Sequence, residues 1–179
     1  MTSRKICILI VILFTISGCA SFNDVMTPSL SVHQDQFDNS LIITQPPVSS
    51  ASAISEGWHT LGFQWSNKFP DVVFLEVGVS GITNVMGVAF NVDGLIIENI
   101  NEASNLTKYD DWSTRRLVMP ISDFLKVAHG NDVKMKVMQI DTYSISSFGL
   151  NNSGAVVNRK FGPFIQKLKE QNALPKLKN

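Results

Sequence analysis

Cysteine is nearly absent from this chain: two occur in 179 residues, Cys7 and Cys19. That excludes a disulfide-dense scaffold and a multi-cysteine metal centre. Histidine is almost as sparse. His33, His59 and His129 are widely separated, with no His-x-x-x-His spacing, and read as scattered surface or structural residues rather than metal ligands. Charge of one sign is also lacking. Fifteen Lys and Arg balance fifteen Asp and Glu, so the basic stripe that a nucleic-acid partner requires is missing. No Gly-rich phosphate loop, P-loop or dinucleotide fingerprint follows an apolar run, and no cofactor is expected. The apolar run from Ile6 to Ile16, broken by Thr15, falls far short of the roughly 20 residues that cross a bilayer core.

What the N-terminus does contain is ordered. Arg4 and Lys5 precede the apolar run, and Ile16-Ser17-Gly18-Cys19 closes it. This is signal-peptide grammar. The segment resembles the lipobox signal of bacterial lipoprotein precursors, in which small residues precede a cysteine that is lipidated before cleavage. The resemblance covers only about the first 20 residues, the span of a secretory signal. It implies residues 1–18 as signal peptide and Cys19 as the lipid attachment site, carrying a diacylglyceryl group and a further acyl chain on the freed amine. Two or three chains anchor firmly where one is marginal, since each buried methylene contributes about 0.8 kcal/mol. Ala20 stands where an aspartate commonly signals inner-membrane retention, so the resemblance implies the outer membrane, with the domain facing the periplasm.

Cleavage after residue 18 leaves 161 of the 179 residues and removes Arg4 and Lys5 but no acid, so 13 basic side chains face 15 acidic ones. Cys7 leaves with the signal and lipid consumes Cys19, so stability must come from apolar burial. The length suits one domain. Residues 19–31 read as lipidated N-terminus and tether, 32–172 as a single domain, and 173–179 as a tail.

Within the domain, Asp38-Asn39 reads as a turn before a short strand at Leu41-Ile42-Ile43, and Pro46-Pro47 is expected to stop that segment. Residues 48–57, rich in Ser and Ala, fit either a loop or a spacer. Leu61, Phe63 and Trp65 alternate with Thr60, Gly62 and Gln64, as in a strand with one buried face. Val72 to Val79 is apolar except for Glu76, which predicts a central strand covered on both faces. Asp93-Gly94 predicts a type I′ hairpin in which Val92 opposes Leu95, Phe90 opposes Ile97, and all four share one face. A strand over Ser113 to Met119 leads into a helix with Pro120 in its first turn and Ile121, Phe124, Leu125 and Ala128 on one side, ended by Gly130. Strand alternation resumes over Val133 to Ile140, with Lys134, Lys136 and Gln139 facing water, and slips at Val137/Met138, which points to a bulge. Tyr143 and Ile145 continue the sheet to Phe148, and a final regular helix is expected to begin at Pro163. The fold class is α+β, mainly antiparallel sheet in one or two layers, with a short and a C-terminal helix packed on it.

Chemistry is thinly signalled. Gly78-Val79-Ser80-Gly81-Ile82 approaches a nucleophile elbow, but Ile82 stands where the second glycine belongs, and Ser80 and Gly81 read as turn residues. The cluster singled out is Tyr109-Asp110-Asp111-Trp112 with Arg115-Arg116, where aromatic surface lies beside both charge signs. Trp112 sealing a core edge, with the charges solvated or paired locally, is the stronger reading; a grip on a glycan or protein partner is the functional one. By elimination the expected function is a membrane-anchored, non-catalytic binding or assembly module, with an envelope-directed hydrolase as the alternative. The globular part looks like several small exported bacterial proteins without assigned activity.

Overall fold

The structure is a computed structural model that describes residues 27–174. Cys19, the signal segment and residues 175–179 lie outside the described residues. Strands β1 (Ser31–Gln34), β2 (Leu41–Ser49), β3 (His59–Ser66), β4 (Val72–Ser80), β9 (Trp112–Pro120), and the two-residue β7 (Asn101–Glu102) and β8 (Lys108–Tyr109) form a seven-stranded antiparallel sheet. Its order is β1-β2-β3-β4-β9, with β7 and β8 following one another along the far edge of β9. A second sheet runs in the order of β11 (Tyr143–Phe148), β10 (Val133–Gln139), β5 (Val85–Val92) and β6 (Leu95–Ile97). Helices α1 (Ile121–His129) and α2 (Asn158–Glu170) complete an α+β fold.

One core serves both sheets and both helices. Alternation on β3 sends Leu61, Phe63 and Trp65 inward, where Phe63 meets Phe161 and Phe164 of α2 at ring centroid distances of 5.1 and 4.8 Å and Phe124 of α1 at 5.3 Å. Such offset and edge-on pairs add about 0.5–1.5 kcal/mol each beyond their area. The core face of the large sheet is therefore covered. Its other face is open, and it carries the half-exposed side chains Thr60, Gln64, Phe74, Glu76, Trp112 and Thr114.

The Asp-Gly hairpin has the expected register, Val92 with Leu95 and Phe90 with Ile97, and both turn residues take positive φ, 52° and 94°. Leu95 departs from expectation. It is 53% exposed because β6 is a three-residue edge strand, so only Val92, Phe90 and Ile97 share the buried face.

Several other expectations are corrected. Pro46-Pro47 does not stop the first long strand: β2 runs through the pair as a bulge, with pairing jumping from Gln45–Phe63 to Val48–Leu61. Two residues without N–H groups are tolerated there because they sit outside the ladder. Gly62 makes room, since a Cβ there would lie 2.7 Å from the Pro47 nitrogen. Strand β4 is central, between β3 and β9, but it is covered on one face only; Phe74 and Glu76 point to the open side.

Pro120 ends β9 and caps α1 rather than sitting inside its first turn. Val127, not Leu125 or Ala128, joins Ile121 and Phe124 as a fully buried residue of that helix. Gly130 ends α1 with φ −65°, so its need for glycine is close packing: a Cβ would fall 2.5 Å from Val133 Cγ2. The β10 irregularity lies at Met138/Gln139, and the Gln139 amide meets Thr83 and Ser144 rather than water alone. Helix α2 begins five residues before Pro163, with Arg159 and Lys160 N–H groups bonded three residues back to Val156 and Val157. That opening turn is wound as 3₁₀.

Residues 48–57 are an ordered connection: the end of β2, a loop and a single 3₁₀ turn at Ile54–Glu56. Glu56 fixes it. Its carboxylate accepts the N–H groups of Ser52 (2.9 Å) and of Ser147 on β11 (3.0 Å). Ahead of β1, Leu30 already packs against the core.

Candidate functional site

The open face of the large sheet is organised in cross-strand rows. Thr60 on β3 pairs with Gly78 on β4, Gly78 with Thr114 on β9, and Thr114 with Lys108 on β8. At roughly 4.8 Å per strand this row is about 14 Å long. The neighbouring rows are Gly62–Glu76–Arg116 and Ser80–Trp112. Thr60 and Thr114, on either side of Gly78 in the first row, form the floor of a groove of about 310 Å³. Pro47, Glu76, Trp112 and the Lys108, Asp110 and Asp111 side chains line the rest. Glycine at 78 is what keeps the floor low, since a Cβ there would lie 2.4 Å from Thr60 Oγ1.

Each wall has a local cause. The Pro46-Pro47 bulge raises Pro47 over β3, and the Gln45 amide holds the bulge by donating to Pro46 O (2.9 Å) and Pro28 O (3.2 Å). A tight turn between β8 and β9, closed by Asp110 N–H to Trp112 O at 3.1 Å, places both aspartates at the rim. Trp112 is steadied from beneath by Ser113. The buried Ser113 hydroxyl donates to Gly81 O (2.7 Å) and accepts the Thr83 N–H (2.9 Å), tying the start of β9 to the β4–β5 connection. Ser80 and Gly81 are not turn residues: Ser80 ends β4 opposite Trp112, Gly81 extends that contact as a single bridge to Trp112 with φ 83°, and a strand rather than a helix follows.

The cluster singled out from the sequence is divided. Asp110, Asp111 and Trp112 come together in the groove, and Trp112 lines it rather than plugging a core edge. Tyr109 points elsewhere, into a hollow with Ile82 and Ile140 at the loop end of the molecule. Arg115 is only 6% exposed and holds the fold together: it pairs with Glu102 (2.8 Å) and donates to the carbonyls of Val85, Met86 and Ser104. Arg116, one residue on, faces the open side, bonded to Gln64 and lying over the Phe74 ring at 5.5 Å. Alternation along β9 separates the two arginines onto opposite faces.

Thr60, Glu76, Lys108 and Thr114 were missed. Glu76 was legible, as the single charge in an otherwise apolar strand; the others depend on register. In comparisons with known proteins, no family model, no curated protein and no solved structure matches this chain.

The polar groups of the groove share one property. Among the described residues, the side chains of Thr60, Glu76, Lys108, Asp110, Asp111, Trp112 and Thr114 form no hydrogen bond or ion pair. Elsewhere some charges are paired, Lys68 with Asp38, Lys126 with Asp123 and Lys167 with Glu170, while single charges such as Asp71, Glu98, Asp141, Arg159 and Lys169 are unpaired among the described residues without gathering in one hollow. No group of three or more metal-ligating side chains converges among the described residues. His59 is buried in the seam between the sheets, its Nε2 2.7 Å from Ser144 Oγ, and desolvation holds it below its ordinary pKa.

Proposed function

We propose that this chain is an envelope lipoprotein, held on the outer membrane by lipid on Cys19, that presents a non-catalytic binding module to the periplasm. The anchor rests on the Ile16-Ser17-Gly18-Cys19 resemblance. The module rests on one observation: seven polar and aromatic side chains that form no hydrogen bond or ion pair among the described residues converge on one groove. Buried or half-buried polar groups without protein partners are where a ligand gains hydrogen bonds without breaking existing ones. No helix among the described residues is long and apolar enough to cross a membrane. Seven residues separate Cys19 from Thr27, so covalent geometry limits the domain to within about 30 Å of its anchor.

Metabolic labelling with a fatty acid, followed by fractionation, tests the anchor. Label is expected on the wild type and not on Cys19→Ser, which should leave the membrane or persist as precursor. An unlabelled, soluble wild type overturns it. A photo-crosslinking residue placed at Asp111 in cells tests the module, with a discrete product expected there and none from a site on α2. Release of new chain ends from envelope polymer, abolished by Glu76→Gln, would replace the module with a hydrolase.

A further inference from the structure

We infer that the groove binds a neutral, hydroxyl-rich sugar, with one pyranose ring against Trp112 and its hydroxyls held by the groove's carboxylates and threonines. This rests on the binding-module reading and adds the ligand's chemical class.

Size comes first. A groove of about 310 Å³ whose cross-strand row from Thr60 to Lys108 is about 14 Å long admits one or two sugar rings and is at the lower end for small-ligand clefts. A folded partner would need a far larger contact area. The polar inventory narrows the choice. Glu76, Asp110 and Asp111 only accept, Lys108 and the Trp112 indole only donate, and Thr60 and Thr114 do both. A ligand that satisfies all of them must carry many groups able both to donate and to accept. Hydroxyls do so without bringing charge. The half-exposed indole beside them offers a flat apolar surface to the C–H face of a ring.

Charge decides the rest. Three carboxylates against one ammonium repel phosphorylated, sulfated or uronic ligands. A polycation would gain from the carboxylates, but Lys108 stands in the same groove and is free of all three: none lies within ion-pair distance of it. A neutral polyol meets both signs.

A second, independent feature adjoins the groove. Thr44 Oγ1 is buried with no hydrogen-bond partner among the described residues, and Thr44 borders a niche of about 40 Å³ that shares Pro47 and Glu76 with the groove. An unsatisfied buried hydroxyl is costly. Rotation of the Thr44 hydroxyl toward the niche would let a ligand hydroxyl entering past Glu76 satisfy it.

The full chain, purified in a detergent without a sugar headgroup, is titrated with chitotetraose, cellotetraose and maltotetraose, followed by tryptophan fluorescence and calorimetry. Tetralysine and a heparin tetrasaccharide serve as charged probes. At least one neutral oligosaccharide should bind saturably, with affinity constant within about twofold between about 50 and about 500 mM salt, since no charge is paired. Trp112→Ala should weaken it by about tenfold or more, and Glu76→Gln by several-fold, with thermal midpoints near that of the wild type. Should Trp112→Ala fail to fold, Trp112→Phe and Glu76→Gln carry the test.

Binding of tetralysine alone, lost in high salt, would overturn the inference in favour of a cation site. So would the absence of neutral-sugar binding at about 10 mM, far beyond useful affinity, or binding indifferent to both substitutions. A crosslink at Asp111 without sugar binding would overturn the sugar and leave the module standing. Neither result together would remove both.

Discussion

Arg115 and Arg116 are neighbours of identical chemistry, and the structure gives them opposite weights. Arg115→Ala removes a guanidinium whose Nη1 donates to the Val85 and Met86 carbonyls of β5, whose Nε donates to Ser104 O at 3.3 Å, and whose Nη2 pairs with Glu102. The pair itself contributes little, because the Glu102 side chain is half exposed. The carbonyls matter more. Hydrogen bonds from a charged donor are worth about 1.5–3 kcal/mol, and a buried acceptor left unmade costs about 1–3 kcal/mol. With Val85 O retaining only a 3.4 Å contact from Thr107 Oγ1, the expected loss is about 3–5 kcal/mol. For a domain of about 150 residues that lowers the midpoint by roughly 10–15 °C.

Arg116→Ala removes an exposed hydrogen bond to Gln64 and a surface cation–π contact, together worth at most about 1 kcal/mol. Urea unfolding followed by circular dichroism, with both variants and the wild type at one pH, measures the difference. Arg115 also links β5 to the β6–β9 connection, so its loss should speed amide exchange at Lys108 and Tyr109. Equal midpoints for the two variants, or a costlier Arg116→Ala, would refute the assignment of Arg115 to the fold and of Arg116 to the open face.

Gly162, exposed within α2, would place a Cβ in open space, so Gly162→Ala should stabilise by about 0.5–1 kcal/mol in the same urea assay; a loss would mean that the opening turn needs glycine. His59 should make stability depend on pH. Burial keeps it neutral in the folded chain, so as pH falls below the ordinary value of 6.5 the unfolded chain takes up the proton first. Stability is complete above that value, declines by at most about 1.4 kcal/mol per pH unit toward the folded pKa, and is flat below it. His59→Asn should flatten that slope; an unchanged slope assigns it to other groups. Glu56 acts in a lower window. Burial opposes its ionisation, but the Ser147 and Ser52 N–H groups outweigh burial and hold its carboxyl below 4.5, so its contribution is present above that value and lost as pH falls through the folded pKa. Glu56→Gln should remove this acid limb and leave the His59 limb in place.

The sequence by itself determined the local structure. Period-two patterning names the inward face of β3, the Asp-Gly turn sets the register of β5 with β6, and Gly130 marks the end of α1, because each depends on residues a few positions apart. It also supplied the candidate anchor at Cys19, a linear signal by nature. The tertiary structure alone decided the groove. It is built on the row Thr60, Gly78, Thr114 and Lys108 from four strands, which exists only once the registers are set. It decided as well which arginine is buried, since alternation on β9 says that the two differ but not which face meets the core. The Pro46-Pro47 bulge shows the same limit: prolines end a strand by local rules, yet here Gly62 on a neighbouring strand gives them room and makes Pro47 a wall of the site.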